Sequence, residues 1–455
     1  MRAYLTILGG LFAILFTFNS CKEDDNYTGL AIETEADFIQ MLQYESVEID
    51  VLLNDLNVPD DHILTVENSP NASIEVHQNG SIGDPQNVRI MYTPNSNFTG
   101  TDTFNYTVCD ASATSCATET VTVEVLPASP VNFEIEEVPY PKLSDYNFFT
   151  GTMSDLIPVY GVVPFEPISA LFSDYALKKR FLWMPGDVKA RYVSDHEVLD
   201  LPNGAVLIKN FYYENVQPGN TKVLIETRLM IKKQEGWIFA NYIWNESQTE
   251  AFYDLSGGFK NLSWLENGEL KTVEYRIPAE SQCFTCHKAE INSTPIGIKP
   301  QNINNQYIYD FGSENQLQHL VQMGYLEDNI PATINTVVDW QDTSKSLNLR
   351  VRSYFDVNCA HCHSDVKHCD YRPVRFAFNE SGDPANLGVC VEPDTNIPPY
   401  THIVNAGDPD TSVLFFRFST TEEQYRMPLF GRTLVHEEAV ELVAEWINSL
   451  STNCD

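Results

Sequence analysis

Two five-residue stretches of this chain carry one chemistry. Cys283-Phe284-Thr285-Cys286-His287 and Cys359-Ala360-His361-Cys362-His363 share the pattern C-x-x-C-H. Two thiols at this spacing match the two vinyl groups of one porphyrin. The histidine directly after the second thiol sets an imidazole nitrogen beneath the iron. This is the attachment pattern of c-type haem. A zinc ribbon built from two C-x-x-C pairs, or two local disulfides, needs no histidine at that place. With only 10 His in 455 residues, its presence in both copies decides for haem. The expectation is two covalently bound haem c groups on Cys283, Cys286, Cys359 and Cys362, with His287 and His363 as iron ligands.

The elements around the second motif read as helices. Leu347, Val351, Tyr354 and Phe355 recur at helical spacing and run straight into Cys359. Val435, Ala439, Leu442, Val443, Trp446, Ile447 and Leu450 form a second apolar stripe, with Glu437 and Glu438 in its first turn, where acids suit the helix dipole. Between the two stands Arg426-Met427-Pro428. This order resembles class I cytochromes c, and the resemblance implies Met427 as sixth ligand, whose thioether raises the haem potential. After His287 no such methionine loop follows. His319 and Met323 share one face of a helix-like stretch and are the candidates there; a solvated face, another ligand or an open site are the alternatives. Cys369 and Cys390 flank the extra loop of the second haem region and are expected to pair, leaving Cys454 over. His361 and His368 read as bystanders.

The rest of the chain must carry these groups. A 43% hydrophobic and 12% aromatic content is that of a globular protein of about three domains. The formal net charge is −35, from 63 acidic and 28 basic residues, and such a surface repels nucleic acid. Residues 1–20 read as a signal peptide: Met1-Arg2, an apolar run from Leu5 to Phe18, then Asn19-Ser20 before Cys21. The run is too short for a membrane span. Cys21 after a small residue resembles a lipoprotein signal, which implies a lipid on Cys21 and a membrane anchor. Residues 21–30 form an acidic tether. Its Lys22-Glu23-Asp24-Asp25 resembles a surface-export tag of lipoproteins, with a merely solvated linker as the alternative.

Residues 31–127 alternate apolar and polar positions in short runs, as in Phe104, Tyr106 and Val108 or Val121, Val123 and Val125. That predicts an all-β sandwich, and the segment resembles the bacterial immunoglobulin-like or cadherin-like modules of surface proteins. Cys109 and Cys116 are placed to close a hairpin by disulfide, in keeping with export. Asp102 and Asp110 read as turn residues, with calcium binding as the alternative. Residues 131–282 form a β-rich domain. Trp237, Trp244, Tyr212 and Tyr213 read there as core aromatics, with a sugar platform as the alternative. Residues 283–343 are the first haem segment and 344–455 the second haem domain. No carboxylate pair, Ser-His-Asp pattern or phosphate loop stands out, so no catalytic residue is assigned. The expected fold is multidomain: an immunoglobulin-like sandwich, a β-rich domain, then a mainly α, class I cytochrome c-like haem region.

Leu171-Phe172-Ser173-Asp174-Tyr175, Trp244-Asn245-Glu246, Tyr354 to His363, Gly407-Asp408-Pro409-Asp410 and Gly431 to Glu438 stand in one order. Together they resemble a family of exported di-haem c-type cytochromes, over roughly residues 140–450. The resemblance implies haem chemistry and no particular substrate. Electron transfer with redox partner proteins of the cell envelope, on the outer membrane and at the cell surface, is the expected function. A haem oxidoreductase of the peroxidase kind and a polymer-binding surface protein with accessory haems are the alternatives. The motifs lie 76 positions apart (359 − 283), close for two full peroxidase-like domains. Cys21→Ala should release the protein from the membrane fraction or block its maturation. A variant that fractionates and is processed like the wild type would refute the lipid anchor.

Overall fold

The computed structural model describes residues 31–78, 88–96, 98–186, 188–452 and 454. The expected signal peptide, acidic tether and Cys21 lie outside them. The chain divides between Ala128 and Ser129 into two compact units.

In the first unit, the alternating runs form β1 (Asp37–Leu42), β2 (Val47–Ile49), β3 (Ile63–Val66), β4 (Ala72–Gln78), β5 (Val88–Pro94), β6 (Gly100–Cys109) and β7 (Cys116–Leu126). They make two sheets, ordered β1-β7-β6-β3 and β2-β5-β4. The period of two sends Phe104, Tyr106 and Val108 of β6 and Val121, Val123 and Val125 of β7 into one core with Ile90 and Tyr92 of the other sheet. Cys109 and Cys116 face each other across the β6–β7 hairpin and are disulfide-bonded. The two suggested calcium carboxylates are engaged by protein donors. Asp102 accepts from Ser69, Asn71 and Tyr92, the last at 2.8 Å. Asp110 accepts from Ser112 and Thr114 inside its own turn.

The second unit is built on a twisted sheet of eight strands: β8 (Val163–Pro164), β9 (Leu177–Trp183), β10 (Val206–Val216), β11 (Thr221–Lys233), β12 (Gly236–Trp244), β13 (Ala251–Tyr253), β14 (Gly258–Glu266) and β15 (Glu269–Ile277). The order is β8-β9-β10-β11-β12-β13, with the β14–β15 hairpin joined at Val216–Trp264. Both faces are covered. On one, Phe181, Val206, Ile208, Leu229, Ile231 and Tyr242 meet Tyr140, Leu143, Tyr146 and Phe148 from the chain before β8. The other face looks toward the cysteine motifs. Trp244 is in the core, its indole donating to Thr227 at 3.0 Å, and buried Tyr213 donates to the Asp174 carbonyl. Trp237 and Tyr212 pack against cores as well, so these aromatics form no common platform.

Among the described residues six α-helices follow: α1 (Glu280–Cys286), α2 (Pro300–Ile303), α3 (Gln316–Gln322), α4 (Leu347–Asn358), α5 (Val413–Ser419) and α6 (Glu437–Asn448). α4 and α6 are the two helices that the apolar spacing predicts. Ser346 caps α4, accepting from Leu349, and the stripes of both bury Val351, Tyr354, Phe355, Leu442, Val443 and Trp446 in one core. The expectation of a mainly α haem region needs correction. Between α4 and α5 the chain is almost all turns and irregular backbone. Prolines at 373, 384, 393, 398, 399 and 409 account for this, because each removes a helix donor and clashes with the preceding turn.

Three of the segments quoted for the resemblance, those of Phe172, Tyr354 and Gly431 to Glu438, meet at His436, the residue that precedes α6. Its ring stacks on Phe172 with centroids 4.1 Å apart, and its Nδ1 bonds the Tyr354 hydroxyl at 2.8 Å. Burial pushes this imidazole down from its usual 6.5 to about 4, with Lys178 adding to the effect and Glu438 opposing it. The folded chain therefore holds the proton less readily than the unfolded one. Stability from this group is complete above about pH 6.5 and is lost as pH falls toward 4, a difference of about 3 kcal/mol. Urea titrations at both ends of that window should show His436→Phe, which keeps the stack, with a shallower pH dependence than wild type. Equal slopes would refute it.

Candidate functional site

The β14–β15 hairpin delivers the first motif. β15 ends in Ile277-Pro278, and Ala279 then starts α1, where the Gln282 side chain accepts from its N–H at 3.2 Å. Cys283 and Cys286 lie on the single helical run, and His287 closes it, its N–H donating to the Cys283 carbonyl at 3.0 Å. A short hairpin, Lys288–Ala289 with Asn292–Ser293, then returns Thr294 to the histidine. Thr294 donates its N–H to the His287 carbonyl, and its own carbonyl lies 3.0 Å from Nδ1. That bond fixes Nδ1 as the protonated nitrogen and leaves Nε2 free as a ligand. Burial pushes this imidazole down to about 4, so it is neutral at ordinary pH.

The second motif is delivered by α4. The N–H groups of Cys359 and Ala360 both donate to the Phe355 carbonyl, and those of Cys362 and His363 to the Cys359 carbonyl. Just upstream, buried Asp356 accepts from Lys299, Gln301, Asn302 and the Phe378 N–H, the last at 3.0 Å. Asn358 accepts from the Phe172 N–H at 2.8 Å. These bonds fix the end of α4 to the segment that follows the first motif and to the β-rich part. His363 is half-buried, its Nδ1 has no hydrogen-bond partner, and desolvation lowers it to about 4.

The two motifs converge. The Cys286 and Cys362 sulfurs and a ring nitrogen of His361 lie within 4.8 Å of one another. As thiols the two cysteines are coupled. The hydrogen bond from Cys362 holds the Cys286 thiol well below its usual pKa range, and the same contact pushes the Cys362 thiol up. All four motif cysteines are unbonded, and burial raises Cys283 and takes Cys359 up to about 12. Two cavities flank the contact. One is lined by Cys359, Cys362, His363 and Met427; the other by Cys283, Cys286 and His287. Cys286, His361, Asn358, Pro428 and Phe430 line both.

Met427 reaches the cavity of His363 because Arg432 holds its loop. This buried guanidinium donates to the carbonyls of Met427, Leu434, Arg417, Phe418 and Thr420, at 2.8 to 3.2 Å. Asp174 adds bonds from the Thr433 and Leu434 N–H groups. The candidates for the first site stand elsewhere. His319 is buried against Tyr309 and Phe311, its Nδ1 2.9 Å from a Glu314 oxygen, and Met323 packs in the core around Leu320. Neither lines the cavity of His287. The thioether that does is Met230 on β11, missed because in sequence it reads as one more apolar strand residue. His368 lines the other cavity. The expected Cys369–Cys390 disulfide is also corrected: Cys390 is bonded to Cys454, and Cys369 is buried and free. The chain after α6 turns back so that Cys454 lies 3.4 Å from the Ala406 nitrogen, beside the segment that pairs with Cys390. Cys369 is held instead at the second motif, its N–H donating to the Cys362 carbonyl at 2.9 Å.

Among the described residues, no helix is long and apolar enough to cross a membrane. No curated protein matches the chain. Residues 31–124 match the bacterial Ig domain family, so the first unit is an Ig-like module, of the kind carried by exported and surface proteins.

Proposed function

We propose that this protein is a di-haem c-type cytochrome of the cell envelope, an electron-transfer protein held at the outer membrane by a lipid on Cys21. One observation carries the reading: two C-x-x-C-H motifs far apart in sequence are folded into contact, sulfur to sulfur within 4.8 Å. A pair of unrelated haem sites would not require that. The residues fit the group. Four reduced thiols border two cavities, each with a neutral imidazole at the same place in its motif. Cys283, Cys286 and His287 would hold one haem, and Cys359, Cys362 and His363 the other, with Met427 as sixth ligand of the second. Met230 is the residue for that role at the first. Haem bound there supplies a one-electron iron couple at each site. The chain's part is to press the two sites together, to keep water out with Phe355, Phe418 and Phe430, and to hold both imidazoles deprotonated.

Cys286, His361 and Cys362 also support a second reading, a soft metal ion held by two thiolates and an imidazole. Only three ligand atoms converge among the described residues, one short of a structural zinc site. Mass spectrometry of the denatured chain separates the two: two covalent haems are expected, whereas none, with one zinc ion per chain, would overturn the proposal. Redox titration then tests the ligand. Met427→His should lower one midpoint potential and leave the other nearly unchanged, and Met427→Ala should open one site to carbon monoxide. Wild-type spectra and potentials in both variants would make Met427 a packing residue.

A further inference from the structure

The sheet face turned toward the first motif is not apolar throughout. Strand register aligns four polar residues across four neighbouring strands: Arg180 on β9 opposite Lys209 on β10, Lys209 opposite Arg228 on β11, and Arg228 opposite Asn241 on β12. All four line the cavity that also holds Cys283 and His287. Arg180 is 9% exposed and Asn241 3%. Arg228 forms an ion pair with Glu226, but among the described residues neither Arg180 nor Lys209 has one. Lys209 and Arg228 instead lie over the same Phe211 ring, at 5.0 and 4.3 Å from its centre. Both polar atoms of the Asn241 amide, and Nε of Arg228, are buried without a hydrogen-bond partner.

Such an arrangement is expensive in isolation. A buried amide with no partner is destabilising, and desolvated like charges repel. Burial, with Arg180 and Lys178 nearby, drives the Lys209 amine well below its usual range. The protein as a whole carries a net charge of −35, so a row of cations inside it is the reverse of its composition. One kind of occupant satisfies every open donor of the row: an anion with several acceptor oxygens, which takes the guanidinium and lysine donors and the Asn241 Nδ2 donors together and leaves only the Asn241 Oδ1 acceptor unmet.

We infer that the row Arg180–Lys209–Arg228–Asn241 is a binding site for a carboxylate-class oxyanion. The oxyanion has two sources, a propionate of the haem at Cys283 and Cys286, or a small free oxyanion admitted to the cavity beside it. The first rests on the haem reading; the second does not.

The experiment uses the full-length protein and the double variant Arg180→Gln/Lys209→Gln, with circular dichroism and the haem count taken first. Lys209→Met serves as the fallback if the double variant fails to fold. Sulfate, which is a poor iron ligand, is the free-anion probe, read by thermal unfolding. If a free oxyanion binds, sulfate should stabilise the wild type saturably and the variant with at least about tenfold weaker affinity. If a propionate fills the site, sulfate should have no saturable effect. One midpoint potential, level in the wild type from about pH 5 to 8, should become pH-dependent in the variant as the released carboxyl titrates nearer neutrality. A protein without haem eliminates the propionate arm alone, so the two readings fail separately. Sulfate responses and potential–pH curves that are the same in variant and wild type would overturn the site.

Discussion

Asp356 is the constraint on which the unit that carries both C-x-x-C-H motifs depends. It sits three residues before Cys359, buried, and its two oxygens take donors from Lys299, Gln301 and Asn302 at the start of α2 and from the Phe378 N–H beyond the second motif. A carboxylate with four donors is far better satisfied here than any neutral side chain would be, and removing it would leave those donors buried and unpaired. Through it the segment after one motif is tied to the helix that carries the other. Asn358, two residues on, extends the tie to Phe172 and so to the β-rich part. The contact between Cys286 and Cys362 is held by these bonds together with a direct one, the Glu290 N–H just after the first motif donating to the Val366 carbonyl just after the second at 2.7 Å.

The β-rich part is then the scaffold of one site. Its strands are covered on both faces, and the alternation that sends Ile208, Leu229 and Ala240 to one core sends Lys209, Arg228 and Asn241 to the other side. One sheet thus does two kinds of packing at once. The apolar face supplies burial, and the opposite face supplies position and charge beside His287.

Much of this was legible in sequence wherever the signal is local. The apolar stripes of α4 and α6, the β6–β7 hairpin closed by Cys109 and Cys116, and the two motifs are all written within a dozen or so neighbouring residues. What escaped depends on distant partners. The row from Arg180 to Asn241 exists only through strand register, which no single strand reveals. Cys390 met Cys454 and not Cys369 because the chain end folds back, a long-range event with no local signature. His319 carried the right chemistry for a ligand, yet the Tyr307–Tyr309 hairpin strand and its Glu314 partner hold it in a separate core.

Arg432 has a different kind of consequence. Every one of its five hydrogen bonds ends on a main-chain oxygen, and none on a side chain. The loop that carries Met427 is therefore located by a property that all twenty amino acids share. The side chains of that loop are free to change its surface, its charge and whatever protein it touches, while the thioether stays where it is. Only the guanidinium is without a substitute, because no other side chain offers five donors in one plane. Positional memory and surface identity are thereby separated within a single loop.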